Sequence, residues 1–466
     1  MSAPPVPRLL PLGGTAGLDG AARLVGDKAA RLALAARAGL AVLPGWVVPV
    51  AEGRPALSAG AAAVRDGRPA AARRAVLGHR LDDGLAAALR EAVAGLGGRV
   101  IVRSSSPLDS DPRWSGAFSS VAEVGPGDVV AAVRSCWASA FAVDPLGRLE
   151  ACGLPPEALE LGILLQPEIR PLAGGVARVM RVAGAAAEVI VEGVPGHPGA
   201  LLSGWAEGAS ASVPLAADLR GDGWPPAPGA RTGPLPPAPG SGELPGRPGE
   251  DGLAGLIGPA MVTAVAALAG RAWRLLGDDV IEWAATDGGI WLLQSGRSAA
   301  TADHVAQARV TVAAGTASRA TVGRPDEDTD GALPTSRARM PLLAATVLGR
   351  GEHVPGRPGA PGMAAGRLVA CRPHERPAGD CEDAILLVDR PVPALAPLLF
   401  AARGVIARTG AAGAHLAGVA RSLGVPMVLG CRPERVTSGP PVADGAFLAA
   451  IDGSTGDVAL LPAMGR

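Results

Sequence analysis

The chain has 466 residues, of which 43 are Lys or Arg and 43 are Asp or Glu, so its formal net charge is zero. That balance gives no footing for nucleic acid or an anionic membrane as partner, and no uncharged apolar run reaches the about 18 residues of a membrane span. A chain this long accommodates about two to four domains, each able to bury its own core.

Met1 to Gly14 is proline-rich and lacks the apolar centre of a signal peptide. Gly26 to Pro49 reads as helix, stop, strand: Asp27 is placed to cap, Lys28 opens an Ala/Leu helix, Gly39 ends it, and Trp46 to Val50 runs extended. Val100 to Val102 is a short β-branched run leading into the polar loop Arg103-Ser-Ser-Ser-Pro107. Val129 to Phe141 reads as helix, and Leu161 to Gln166 and Ala187 to Glu192 as strands. A Pro/Gly segment over about 222–249 has no periodicity and is expected to be a mobile loop.

Helix returns from Leu253 to Leu276. Val280–Ala284 and Ile290–Gln294 read as a β-hairpin through Asp287-Gly288-Gly289. A three-residue turn there faces Glu282 to Gln294; a two-residue turn faces Glu282 to Leu293 and puts the two polar groups on opposite sides. An Ala-rich helix is expected over 299–322, a second Pro/Gly stretch over 355–362, and a compact α/β unit over 364–461.

Within that last unit, the Gly/Ala loop Gly410 to Ala414 delivers His415 onto the start of a short helix. Gly424 stops the helix and Val425 to Leu429 runs as a strand. A neutral imidazole is a competent nucleophile near neutral pH, and helix-start N–H groups attract anions. The residues therefore suit a histidine that accepts and holds a phosphoryl group; the plainer alternative is a cap or turn histidine. The five cysteines, odd in number and without a C-x-x-C pair, imply reduced thiols in a cytoplasmic protein and no cysteine metal site.

The segment Arg408 to Gly430 resembles the phosphohistidine motif of the phosphoenolpyruvate synthase and pyruvate phosphate dikinase family, approximately T-G-G-x-x-S-H-A-A-I-x-A-R-E-x-G-I-P-A-V-V-G. Thr409, Gly410, His415, Ala417, Ala420, Arg421, Gly424, Pro426, Val428 and Gly430 fall in step, while Ala411, Ala414 and Ser422 depart from it. The resemblance extends along most of the chain. Val25-Gly-Asp-Lys28 and the run from Ala38 to Val48 are similar to the family's opening, which makes Lys28 a phosphate-contacting lysine. Val102-Arg-Ser-Ser105 and the stretch to Val124 resemble V-R-S-S-A…F-A-G-Q, with Ala117 where the family has glutamine; Arg103 becomes the phosphate-gripping arginine. Ser135 to Phe141 is similar to C-W-A-S-L-F and is expected to be core. Ile163 to Gln166 resembles a strand that places Gln166 near the adenine.

Asp279 to Ala284 and Leu292 to Gln294 look like D-I-E-W-A…L-Q-x-R-P. Glu282 and Gln294 would then hold Mg²⁺ and nucleotide, since magnesium takes hard oxygen ligands. The family's next arginine falls on Gly296, with Arg297 serving after a one-residue shift. The loop Val191 to Gly204 resembles G-L-G-E-x-V-V-S-G without its acidic residue, and its His197 is read as incidental.

What the resemblance implies is an α+β and α/β architecture: an ATP-grasp-like nucleotide-binding domain over 1–300, a helix and flexible linker over 301–363, and a small swivelling phosphohistidine domain over 364–466. The family's acceptor domain has no expected counterpart, because only about 70 residues separate Gln294 from Ala364, too few for one. The implied activity is a magnesium- and ATP-dependent transfer of phosphate to His415 and on to a small molecule or a separate chain, such as a pyruvate- or phosphoenolpyruvate-binding one. The alternatives are a degenerate, non-catalytic nucleotide-binding regulatory module, and a carrier phosphorylated by a phosphoenolpyruvate-binding partner.

Overall fold

A computed structural model describes residues 8–13, 21–180, 188–215, 252–298, 336–371, 381–433 and 447–462. The expected loop over 222–249 and helix over 299–322 lie outside the described residues. The chain divides into two compact units. The first is 1–297 with two later segments, 392–397 and 413–416, so His415 counts with it; the second holds the remainder.

The first unit contains two five-stranded antiparallel sheets. One joins β1 (Leu10–Pro11), β2 (Trp46–Val48), β3 (Val100–Ser105), β4 (Ser120–Val124) and β5 (Gly162–Pro167) in the order β1-β2-β5-β3-β4. β5 is buried along its whole length, which is why its sequence is a continuous apolar run closed by Gln166. β3 runs on through Ser105, so Arg103 stands on a strand rather than in the expected loop. Its ladder to β5, from Val100↔Pro167 to Ser105↔Gly162, extends the strand past the β-branched residues that mark it in the sequence.

Among the described residues, seven α-helices lie between β1 and β5: α1 (Ala22–Val25), α2 (Asp27–Arg37), α3 (Val50–Arg65), α4 (Pro69–Gly78), α5 (Asp83–Gly95), α6 (Val129–Ala138) and α7 (Val143–Cys152). Cys136, Trp137, Ala140 and Phe141 are buried, as expected of a core segment. Asp27 does not cap α2. Gly26 is the cap residue, Asp27 is already helical, and its carboxylate takes Arg31 at 2.7 Å instead. Ser105 Oγ, from β3, accepts from the Ala29 N–H at 3.0 Å and so caps the helix from outside.

The second sheet joins β6 (Ala173–Met180), β7 (Glu188–Pro195), β8 (Ala209–Pro214), β9 (Val280–Thr286) and β10 (Gly289–Gly296) in the order β10-β9-β6-β7-β8. Its core includes Leu32 of α2, Val179, Val189, Val265 and Trp283. α8 (Gly199–Leu202) follows β7, and the single helix expected from Leu253 is two, α9 (Gly252–Ile257) and α10 (Pro259–Leu276). Gly258 caps the second, and Pro259, which needs no N–H in a first turn, begins it.

The second unit is built on an eight-stranded mixed sheet. After α11 (Ser336–Arg350) come β11 (Glu352–Pro355), β12 (Arg357–Ala360), β13 (Met363–Cys371), β14 (Ile385–Val388), β15 (Gly404–Ala407), α12 (His415–Leu423), β16 (Met427–Leu429), β17 (Phe447–Asp452) and β18 (Asp457–Pro462). The order is β11-β18-β17-β13-β14-β15-β16-β12, with β13 to β16 parallel. Most of the stretch 355–362, expected as a flexible connection, is carried by β11 and β12, while residues 301–335 of the expected linker lie outside the described residues. Among the described residues β11 and β12 are the two edge strands of the sheet, and an edge is where a strand tolerates proline. Among the described residues no single helix is long and apolar enough to cross a membrane.

Candidate nucleotide and phosphohistidine site

Lys28 sits in the first turn of α2, where it follows a tight approach of chain to chain. Gly26 has φ +81°, and a Cβ there would lie 2.0 Å from the Ser105 carbonyl oxygen, so only glycine fits. The Asp27 N–H donates to Ser106 O at 2.9 Å, which fastens the helix start to the end of β3. Lys28 Nζ then donates to Ser104 O at 3.0 Å and stands 3.9 Å from Asp109. Asp109 is held there by a capping box: its carboxylate accepts from the Ser106 N–H at 2.8 Å while Ser106 Oγ accepts from Leu108 N–H. Burial pushes the Asp109 carboxyl up, and Lys28 opposes that shift.

Arg103 is the hub. Its Nη1 donates to Gln166 Oε1 at 3.2 Å and to Leu293 O at 2.7 Å, and its Nη2 lies 3.5 Å from Gln294 Oε1 and 3.8 Å from Glu282. Both charged side chains are nearly enclosed, 11% and 13% exposed, so their attraction is little screened. Gln166 is buried and uses its amide N–H on Leu43 O at 3.0 Å. Four of the residues singled out from the sequence, Arg103, Gln166, Glu282 and Gln294, are thus one contact cluster.

Glu282 and Gln294 belong to a polar rung that crosses the second sheet. Gln294 pairs with Glu282, Glu282 with Val176, Val176 with Glu192, and Glu192 with Ser210. Residues directly opposite one another point to the same face, so Glu192 shares the surface of Glu282 and Gln294. Its carboxylate takes Arg178 at 2.9 Å. Arg297 is placed differently from the rest: it lies 3.9 Å from Asp278, a buried carboxylate also paired with Arg31 of α2.

His415 meets the turn after β3. Ser115 Oγ is 2.9 Å from its Nδ1, and a Cβ on Gly116 would come within 2.7 Å of the ring. Gly116 has φ +68°, so backbone conformation and space both demand glycine. The turn is fixed from below by Arg148, which is fully buried, donates to Arg113 O at 2.6 Å and Ser115 O at 3.0 Å, and pairs with Asp144. Burial pushes His415 below its ordinary value of 6.5; Glu282 opposes, while Lys28 and Arg148 add to the drop. A ring so placed is neutral near pH 7, which is the nucleophilic form.

The loop before His415 is braced within the second unit. Thr409 Oγ1 donates to Asp389 O at 2.9 Å, and Arg357 donates to Gly410 O at 3.1 Å. Arg421, at the far end of α12, donates to Gly359 O at 2.7 Å and so ties its helix to β12.

Ser115, Asp109 and Glu192 escape sequence reasoning as site residues; Ser115 does so because its partner His415 is 300 positions away. His197, read as incidental, feels Arg103 and Glu282: burial lowers it first, Arg103 lowers it further and Glu282 opposes. Its Nδ1 accepts the Gly199 N–H at 3.2 Å.

Residues 22–210 match the AMP/ATP-binding domain of pyruvate phosphate dikinase, and residues 380–456 match the mobile domain of PEP-utilising enzymes. Both matches are consistent with the phosphoenolpyruvate synthase and pyruvate phosphate dikinase family. Lys28, Arg103 and Gln166 lie inside the matched ATP-binding domain, and Thr409, Gly410, His415 and Arg421 inside the matched mobile domain of that family. Glu282, Gln294 and Arg297 lie beyond the matched residues. No curated protein matches the chain. Among solved structures, the holo form of aconitase X from Thermococcus kodakaraensis covers 24% of this chain and 99% of its own at 17% identity, with a TM-score of 0.19, a likeness too slight to carry any argument.

Proposed function

We propose that this protein is an ATP-dependent phosphotransferase of the phosphoenolpyruvate synthase type, with an ATP-grasp-like nucleotide domain and a phosphohistidine intermediate on His415. The observation that carries the reading is the ring of His415, engaged at Nδ1 by Ser115 and lying within the electrostatic reach of Glu282 and Lys28. With Nδ1–H donating to Ser115 Oγ, the lone pair stays on Nε2, the atom that would attack. By family resemblance, the N–P bond forms to the β-phosphorus, and ATP and water become AMP, phosphate and phosphohistidine. Such transfers rest on positioning and on neutralising phosphate charge. Lys28 would supply a point charge and Arg103 a planar fork.

The donor set fits magnesium. Glu282 offers a carboxylate and Gln294 an amide oxygen side by side, both hard ligands. Magnesium of this kind takes only one or two protein ligands and completes its shell with substrate phosphates and water. Magnesium would neutralise charge on those phosphates. Arg103, which now spans Glu282 and Gln294, would turn its donors to the phosphates as they arrive. The phosphoryl group would then pass to a small molecule or to an acceptor on a separate chain in the cytoplasm.

Incubation with Mg²⁺ and ATP labelled in the β-phosphate is expected to give acid-labile, base-stable label that His415→Ala abolishes. Absence of label under every condition sinks the enzyme reading. One observation favours the rival, a nucleotide-binding regulatory module: Arg297 is beside Asp278 rather than beside Arg103 or Glu282. Calorimetric ATP binding with no turnover and no label would establish it.

A further inference from the structure

Five cysteines are spread over the chain, and two of them meet. Cys371 ends β13 and is buried, Cys381 precedes β14 and is half-buried, and their Sγ atoms are 3.9 Å apart. Cys136 differs in kind: it lies in the core of the first unit, where burial pushes its thiol up to about 12 and so keeps it unreactive near neutral pH. We infer that Cys371 and Cys381 are a thiol–disulfide modification site, with a small-molecule disulfide of the glutathione type as oxidant and Cys381 as the entry thiol.

The chemistry follows from exposure and separation. The Cys381 thiolate, the more accessible of the two, attacks one sulfur of the small disulfide and expels one small thiol. Cys371 then attacks the Cys381 sulfur of that mixed disulfide, forms the protein S–S bond and expels the second small thiol. Two protein thiols are oxidised, one disulfide is reduced to two thiols, and each thiol proton lost from the protein is carried by a released thiol. The sulfurs need to close from 3.9 Å to about 2 Å for the bond to form. In a reducing compartment such a bond is transient and reports the thiol balance.

Its position gives it a neighbour of consequence. Cys371 pairs with Val388 across the parallel β13–β14 ladder. Val388 O accepts the Arg408 N–H at 2.9 Å, and the next residue, Asp389, takes Arg408 on its carboxylate at 2.7 Å and Thr409 on its carbonyl at 2.9 Å. The thiol pair thus borders the root of the Gly/Ala loop, all within the second unit.

The test uses the full-length protein and reads thiols, so it stands or falls apart from the phosphotransferase reading. Treatment with oxidised glutathione, alkylation and denaturation is expected to lower the thiol count from five to three, with peptide mapping joining Cys371 to Cys381. Cys371→Ser should trap glutathione on Cys381; Cys381→Ser should give neither adduct nor bridge. Retention of all five thiols, a bridge between other cysteines, or a glutathione adduct that persists in the unaltered protein would each overturn the proposal.

Discussion

Glu282 faces Gln294 across β9 and β10 although the turn between the strands holds only two residues. From Gly289↔Thr286 to Leu292↔Trp283 the ladder keeps the register of a two-residue turn, and a shift after Leu292 brings Gln294 opposite Glu282. Leu293 is the extra residue, and such a bulge can re-aim the groups beside it. Its carbonyl accepts Arg103 at 2.7 Å. The three-residue turn considered from the sequence is therefore replaced by a shorter turn and a bulge, which give the same facing pair.

Removing either partner of that pair is expected to weaken magnesium-dependent ATP binding. Glu282→Gln should cost at least the roughly 10–100-fold in affinity that is lost when only an outer-shell partner of a metal ligand is altered. Titration calorimetry with and without Mg²⁺ checks this; equal ATP affinity in both proteins at saturating Mg²⁺ contradicts the assignment of Glu282.

Arg103→Met leaves the Glu282 carboxylate enclosed and without its cation. Breaking an enclosed ion pair on one side typically costs about 3–5 kcal/mol, here toward the lower end because both groups keep some contact with water. Urea unfolding should show the loss, and Arg103→Lys should restore stability only partly, since an ammonium cannot reach Gln166 and Gln294 together as the guanidinium fork does.

Gly116→Ala puts a methyl 2.7 Å from the His415 ring and forces a left-handed conformation that costs alanine about 1–2 kcal/mol. The expected result is loss of label on His415 with ATP affinity changed less than threefold. If labelling proceeds at the normal rate, the ring does not use this turn during transfer.

The pH dependence follows from His415. Its ionisation is held below 6.5 by burial, so the folded protein binds its proton less readily than the unfolded chain. The contribution of this residue to stability is therefore complete above 6.5 and is lost as pH falls from there through the lower folded value. Labelling at single turnover should likewise persist below 6.5 before it declines, and stability of His415→Ala should vary less over that interval than that of the unaltered protein. A labelling midpoint above 6.5 would contradict the direction.

How far the sequence could be read depended on whether a structure announces itself locally. The Lys28 helix, the β9–β10 hairpin and the His415 helix each combine a period with a glycine or turn signal, and each was legible. Helices α3 to α5 were not: they are rich in alanine and glycine, which blurs apolar contrast, and α3 carries Pro55 near its start. Asp27 looked like a cap because caps are usually found by residue type, yet Arg31 and Ser105 together offered its carboxylate and the helix N–H groups better partners. Pro355 and Pro358 suggested a linker because proline is excluded from strand interiors, and sequence does not say which strands lie at an edge. Ser115 falls in a stretch that resembles the family, but nothing local marks its hydroxyl, whose partner is 300 positions away.

Those two prolines have an effect beyond the fold of one molecule. A sheet with eight strands has open sides onto which another chain could add, and each side here ends in a strand that carries a residue unable to donate from its backbone. A chain adding at either side would pair with a strand that contains a proline. Proline in an edge strand is one of the devices that discourage sheets from joining side to side.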